Sequence, residues 1–278
     1  MNKLLSLELK RAISSPLLWL GACILIGLNV FGMVLSTYGF TITASTFLFQ
    51  NISIICICLA IFIALHIGLE FEARTINNKI IADYSRKQIY IAELSVSVLC
   101  GFLFLLMDIG SILVISKITK LSLGVSVTNL VIESIICFVC ISTIAALFTM
   151  IAMLLHKRLY SIAACLCIAL LCLNLGGNAV SALNQEEYRI VDGEQQIENV
   201  LYLDGFMRTA TNVHVLVSPF AQVKYQPYAN TETPVDKAKN SLLFKNASHH
   251  YEFPLINLLE LFGFTWVGMV LFRKQDFK

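Results

Sequence analysis

Charge is what this 278-residue chain has least of: Asp, Glu, Lys and Arg make up 14% of it, against about 25% in a soluble domain. Hydrophobic residues supply 57% and the mean hydropathy is +0.76. With apolar runs longer than about 18 residues, that shortfall excludes an ordinary soluble fold and points to a polytopic helical membrane protein. The net charge of +2 is too small to draw a nucleic acid. Phosphate-cradling motifs are missing: there is no G-x-x-x-x-G-K-[ST] and no G-x-G-x-x-G, so nucleotide chemistry is not expected of this chain. H-E-x-x-H and G-x-S-x-G are missing too, which removes the commonest metalloprotease and serine-hydrolase readings. Residues after Leu183 contain no cysteine, so no disulfide staples the polar region there. The nine cysteines all lie in hydrophobic segments, and Cys137-x-x-Cys140 has no second pair or nearby His to complete a metal site. They read as small packing residues.

Six apolar stretches are long enough to span a bilayer, at about residues 17–36, 51–69, 94–116, 131–155, 159–183 and 254–272. Ahead of the first, MNKLLSLELKRAISS combines Leu4, Leu5, Leu7, Leu9, Ala12 and Ile13 with Lys3, Glu8, Lys10 and Arg11; most of this apolar set can share one helical face, which suits an amphipathic helix in the membrane interface or a charged leader. Ser14-Ser15-Pro16 reads as a helix start with Pro in the first turn. The first span is too long for a signal-peptide core and stays in the expected mature chain.

Polar breaks set the expected topology. Lys3, Lys10, Arg11, Arg74, Lys79, Arg86, Lys87, Lys157, Arg158, Arg273, Lys274 and Lys278 flank one set of span ends, whereas Lys117 and Lys120 alone occupy the short loops of the other set. The positive-inside rule therefore puts both termini in the cytoplasm and makes 184–253 a long extracellular segment between spans five and six. Within it, the Tyr/Pro-rich stretch from Pro219 to Pro234 reads as loop, and 195–211 as helix. Residues 1–183, 184–253 and 254–278 thus form three parts of one expected all-α architecture.

The most informative polar break is 70–93, EFEARTINNKIIADYSRKQIYIAE, with a short helix expected over 75–84. Lys and Arg alone would fix the topology; the interleaved Asn, Ile and Tyr suggest a contact surface. This stretch resembles a pattern of bacterial type-2 ABC exporter permeases, the family that includes lantibiotic-immunity and drug-efflux permeases: an acidic residue, then "GTIRNKI", "GYSR" and "IY", against Phe71–Ile80, Tyr84-Ser85-Arg86 and Ile89-Tyr90 here. Ala73 and Ala82 stand where that pattern has glycines. The opening LELKRAISSPLLWLG is similar to the family's interfacial helix, and Phe272-Arg273-Lys274-Gln275-Asp276 to its F-x-[KR]-[KR]-D ending.

The resemblance implies a permease in the bacterial plasma membrane, paired with a second copy or a similar permease. It implies two copies of an ABC ATPase on the cytoplasmic side, with ATP and Mg bound by that partner and no cofactor by this chain. Docking would fall on Glu72, Arg74, Asn77, Lys79, Ile80, Tyr84 and Arg86. The expected cargo is amphipathic: an antimicrobial or signalling peptide, a lipid-like molecule or a drug. The alternative is a membrane sensor that binds a ligand through 184–253. Within the spans, Asp108 reads either as a substrate or proton contact or as a carboxylate bonded to Ser111, Thr143 or Asn174. Glu133 and Glu260 read as interface anchors and His66 as a packed or snorkelling residue. Asn174-Leu175-Gly176-Gly177-Asn178 reads either as a helix break at a gate or as close helix packing.

Overall fold

A computed structural model describes residues 2–36, 43–185, 187–191, 195–229 and 252–275. Its helices are α1 (Asn2–Ile13), α2 (Pro16–Ser36), α3 (Ile52–Glu72), α4 (Thr75–Ile81), α5 (Arg86–Thr119), α6 (Val127–Leu155), α7 (Arg158–Leu183), α8 (Gly205–Val217), α9 (Pro219–Ala229) and α10 (Glu252–Lys274). A 3₁₀ turn, Ala44–Phe47, precedes α3, and strands β1 (Tyr188–Val191) and β2 (Gln195–Glu198) form an antiparallel hairpin after α7. Helices α2, α3, α5, α6, α7 and α10 are each long and apolar enough to cross a membrane, the architecture of a multi-pass membrane protein.

Local chemistry sets where these helices begin. Ser85 caps α5 through a reciprocal pair: its Oγ accepts from the Gln88 amide at 3.3 Å, while Gln88 Oε1 accepts from the Ser85 amide at 2.9 Å. That capping box starts α5 eight residues before the apolar run, so the helix carries part of the charged segment into the bundle. Ser126 caps α6 through a single bond, accepting from the Asn129 amide. Arg74 and Asp83 take left-handed backbone conformations, at φ 56° and 66°. Those two residues bracket α4 and turn the chain sharply on either side of it.

Helices α3 and α6 form the interior, and α2, α7 and α10 lie toward the rim. Small residues let α6 approach its neighbours: Ala145, Ala146 and Ala152 are fully buried, and a Cβ at Gly101 of α5 would come within 2.7 Å of Ile141. The hairpin α8–α9 enters the same bundle. Pro219, expected in a loop, is instead the first residue of α9, where a missing amide costs nothing. Its carbonyl accepts from Cys140 Sγ at 3.1 Å, thirteen residues or about 20 Å along α6 from Val127. Phe220 stacks obliquely on Phe148, and at Gly176 of α7 a Cβ would lie 2.6 Å from the Ala221 Cα. The turn between α8 and α9 therefore reaches the mid-depth of α6. Residues 195–198, expected as helix, pair with β1; helix resumes at Gly205. Residues 276–278, the end of the expected F-x-[KR]-[KR]-D tail, lie outside the described residues.

Candidate functional site

Two polar systems stand out, one at the end of the bundle that carries α1 and α4 and one deep between α2 and α5. The first is a node of six ionisable side chains from four helices: Glu8 and Arg11 of α1, His66 and Glu70 of α3, Lys79 of α4, and Glu93 of α5. On α1 and α3 the pairs are spaced i,i+3 and i,i+4, which places each pair on one helical face. Glu8, Glu70 and Glu93 are almost fully buried, at 0%, 2% and 1% exposure. Lys79 Nζ lies 2.6 Å from Glu8 Oε1, 2.5 Å from Glu70 Oε1 and 2.9 Å from Glu93 Oε1. Arg11 pairs with Glu70, and with Glu8 at 3.0 Å. Its Nη2 is also 2.7 Å from His66 Nε2; a guanidinium only donates, so this ring nitrogen accepts and His66 is the neutral Nδ1–H tautomer.

Electrostatics holds the node together against a large desolvation cost. Burial opposes the charge on Lys79, but Glu93 and Glu70 outweigh it and hold the ammonium pKa above the ordinary lysine value. Burial likewise opposes the charge on Arg11, and Glu70 and Glu93 more than restore it. Glu8 goes the other way: burial, then the neighbouring Glu70, raises its carboxyl above the ordinary range. Lys79 is 2.6 Å from Glu8, yet neither Glu8 oxygen has a hydrogen bond of good geometry, so this contact is an ion pair only.

The residues expected to form a docking surface divide between two faces of α4. Glu72 and Arg74 are exposed. Asn77 is half-buried, and Ile80 and Tyr84 pack partly against the core. Lys79 points inward to the node. Arg86 donates to the carbonyls of Arg273, at 2.9 Å, and Gln275, tying the start of α5 to the end of α10. Gln275 also meets His156 Nε2 through its Oε1 at 2.6 Å, and His156 packs edge-on against Phe71. The outward face of the segment consists of Glu72, Arg74, Asn78, Ile81, Asp83 and Lys87, with Ile81 83% exposed.

No protein-family model, curated protein or solved structure matches this chain.

The second system is built on Asp108, which is fully buried in α5. Its Oδ1 accepts from Asn29 Nδ2 of α2 at 2.8 Å and from Asn51 Nδ2 at 3.2 Å. Asn29 also donates to Ser111 Oγ at 2.8 Å and accepts from Asn51 at 2.7 Å. Asp108 Oδ2 has no hydrogen-bond partner. Of the partners expected for Asp108, Ser111 sits in this cluster through Asn29. Thr143 instead donates to the Asn257 carbonyl at 2.9 Å, and Asn174 is exposed and donates to its own helix at Leu170. Helix α7 runs unbroken through 174–178, and the close approach at Gly176 serves packing against α9.

Glu8, Arg11 and Glu93 escaped the reading of the sequence as site residues. The spacing of Glu8 with Arg11, and of His66 with Glu70, was the available signal: a polar stripe on segments otherwise built to face apolar surroundings. Glu93 gave less, because the true start of α5 at Arg86 puts it a full two turns inside the helix rather than at its entrance.

Proposed function

We propose that this chain is the membrane-spanning permease subunit of an ABC exporter. In this reading both termini and α4 lie in the cytoplasm of a bacterial cell, and 184–253 lies on the outer side. Two permease chains, identical or similar, form the path, and two copies of a P-loop ATPase bind below. ATP and Mg belong to those subunits. The cargo is an amphipathic peptide, a lipid-like molecule or a drug, in keeping with the largely apolar walls of the spans.

The observation that carries this proposal is the two-faced construction of α4. Its outward side presents Arg74, Asn78 and Ile81 as a small mixed surface of the kind a groove on a soluble partner accepts. Its inward side is fixed to α3 through Thr75, whose Oγ1 donates to the Glu70 carbonyl at 3.1 Å, and to α1, α3 and α5 through Lys79. A push on the outer face is thereby delivered to three membrane-associated helices at once. The entry of α8 and α9 into the bundle supports the same reading over a sensor, because these parts of 184–253 line up with the spans rather than standing apart as a receptor module.

Affinity purification from the native membrane in mild detergent tests the proposal. A stoichiometric P-loop ATPase should accompany the wild-type chain, and the Arg74→Glu/Ile81→Asp pair should weaken its retention by at least about 30-fold, the loss of one binding hot spot. Recovery of the wild-type chain alone, with the ATPase expressed in the same cells, would sink it.

A further inference from the structure

Three buried carboxylates in the α1–α3–α4–α5 node face two cations. Glu8 comes from α1, Glu70 from α3 and Glu93 from α5; Arg11 and Lys79 oppose them, and the His66 ring is neutral by its contact with Arg11. Among the described residues no other charged side chain pairs with these six. Arg158 of α7 packs beside Gly68 of α3 and makes no ion pair with the node. The node therefore carries one uncompensated negative charge when all three carboxylates are ionised. A lone buried charge is far costlier than a bound proton. Glu70 Oε2 and Glu93 Oε2 are buried without a hydrogen bond, so acceptors are available where the charge is in excess.

We infer that the node is a binding site for one exchangeable proton, shared among Glu8, Glu70 and Glu93. A metal ion would meet the same surplus charge, and Glu8, His66 and Glu93 offer ligand atoms within 4.8 Å of one another. Those atoms are already taken by cations: Arg11 lies 2.7 Å from the His66 nitrogen and Lys79 2.6 Å from Glu8. A proton needs no such displacement. Lys79 is the charged tie between α4 and the spans, so arrival or loss of the proton alters how firmly α4 is held. The site does not depend on what the chain transports, or on whether it transports at all.

Infrared spectra of the purified chain in mild detergent at neutral pH provide the test, read as the number of protonated carboxyl groups per chain. Each single change, Glu8→Gln, Glu70→Gln or Glu93→Gln, balances the node at two against two and should remove one protonated carboxyl. The Glu70→Gln/Glu93→Gln pair should remove no more than one. Lys79→Gln raises the surplus to two and should add one protonated carboxyl, so the two kinds of variant check each other if one fails to fold. An unchanged count in the three glutamine variants and in Lys79→Gln would overturn the site. So would a melting temperature raised by Zn²⁺ or Mn²⁺ in the wild type and not in His66→Gln, which would make it a metal site.

Discussion

Replacing Lys79 with Met removes one cation from a space that holds three carboxylates, and the size of the effect follows from the geometry. Lys79 lies within 3 Å of an oxygen of each glutamate, and its side chain is only 10% exposed. One pair of unit charges at 4 Å is worth about 4 kcal/mol at an effective dielectric constant near 20. Lys79 gains from three such pairs and gives up the solvation of a buried ammonium. Breaking a buried pair from one side costs about 3–5 kcal/mol, because the partner's charge is left behind. That range applies here, with Arg11 limiting it to the lower half. Thermal unfolding in detergent at neutral pH should show Lys79→Met melting roughly ten degrees below wild type, whereas Lys87→Met, on the exposed face, should stay within about 0.5 kcal/mol. The penalty should shrink in acid, since the extra proton that replaces the lost cation is then taken up at less cost, by up to about 1.4 kcal/mol per pH unit. Adding Glu93→Gln to Lys79→Met should recover at least about 1 kcal/mol. A Lys79→Met chain as stable as Lys87→Met at neutral pH would refute the reasoning.

Other consequences can be checked separately. Glu8 titrates above the ordinary carboxylate value in the folded chain, so the folded form binds its proton more tightly than the unfolded form. Its contribution to stability should therefore fall as pH rises from about 4.5 through the folded value, and Glu8→Gln should flatten that part of the melting curve. Asp108→Ala takes one acceptor from each of the amides of Asn29 and Asn51 and should cost about 1–3 kcal/mol; a melting temperature unchanged from wild type would contradict the bonding described. Gly176→Ala should destabilise by about 1–3 kcal/mol, since its Cβ would strike the α9 backbone, while Gly263→Ala, with open space around it, should be neutral or slightly stabilising. A cysteine at Arg74 in intact cells should resist membrane-impermeant thiol reagents until the membrane is opened, and prompt labelling would reverse the proposed orientation.

Hydropathy alone located all six long helices, because twenty apolar residues leave few alternatives to a span. Their ends were less legible. The apolar run of α5 begins near Leu94, yet Ser85 and Gln88 cap the helix eight residues earlier, and that shift buries Glu93. The stretch after α7 misled for a different reason. Proline at 219 and 227 suggests loop, but a proline at the first position of a helix starts it, and neighbours from α3, α6 and α7 supply the packing that local propensity does not. Of the expected docking residues, Arg74 and Lys79 share one segment and one charge, and the sequence gives no ground for separating them. The left-handed turn at Arg74 sends one outward and the helical register sends the other into the node. Pairing between distant segments, such as Glu8 with Lys79 or Asn29 with Asp108, is set by tertiary packing and leaves only a helical spacing to hint at it.

Far from the charged node, Thr143 of α6 donates to the Asn257 carbonyl, Asn257 of α10 donates to Gln222 at 2.6 Å, and Gln222 of α9 donates to the Leu216 carbonyl at 2.7 Å. All three side chains are fully buried, and α10 is the last of these helices to be synthesised. Until it arrives, the hairpin α8–α9 has an amide oxygen at Gln222 that awaits its partner, while the Thr143 hydroxyl can turn to the Val139 carbonyl of its own helix. Biogenesis thus acquires a mark of completion: a nascent chain halted before Asn257 keeps an unmet amide oxygen in its apolar interior, which the finished protein does not.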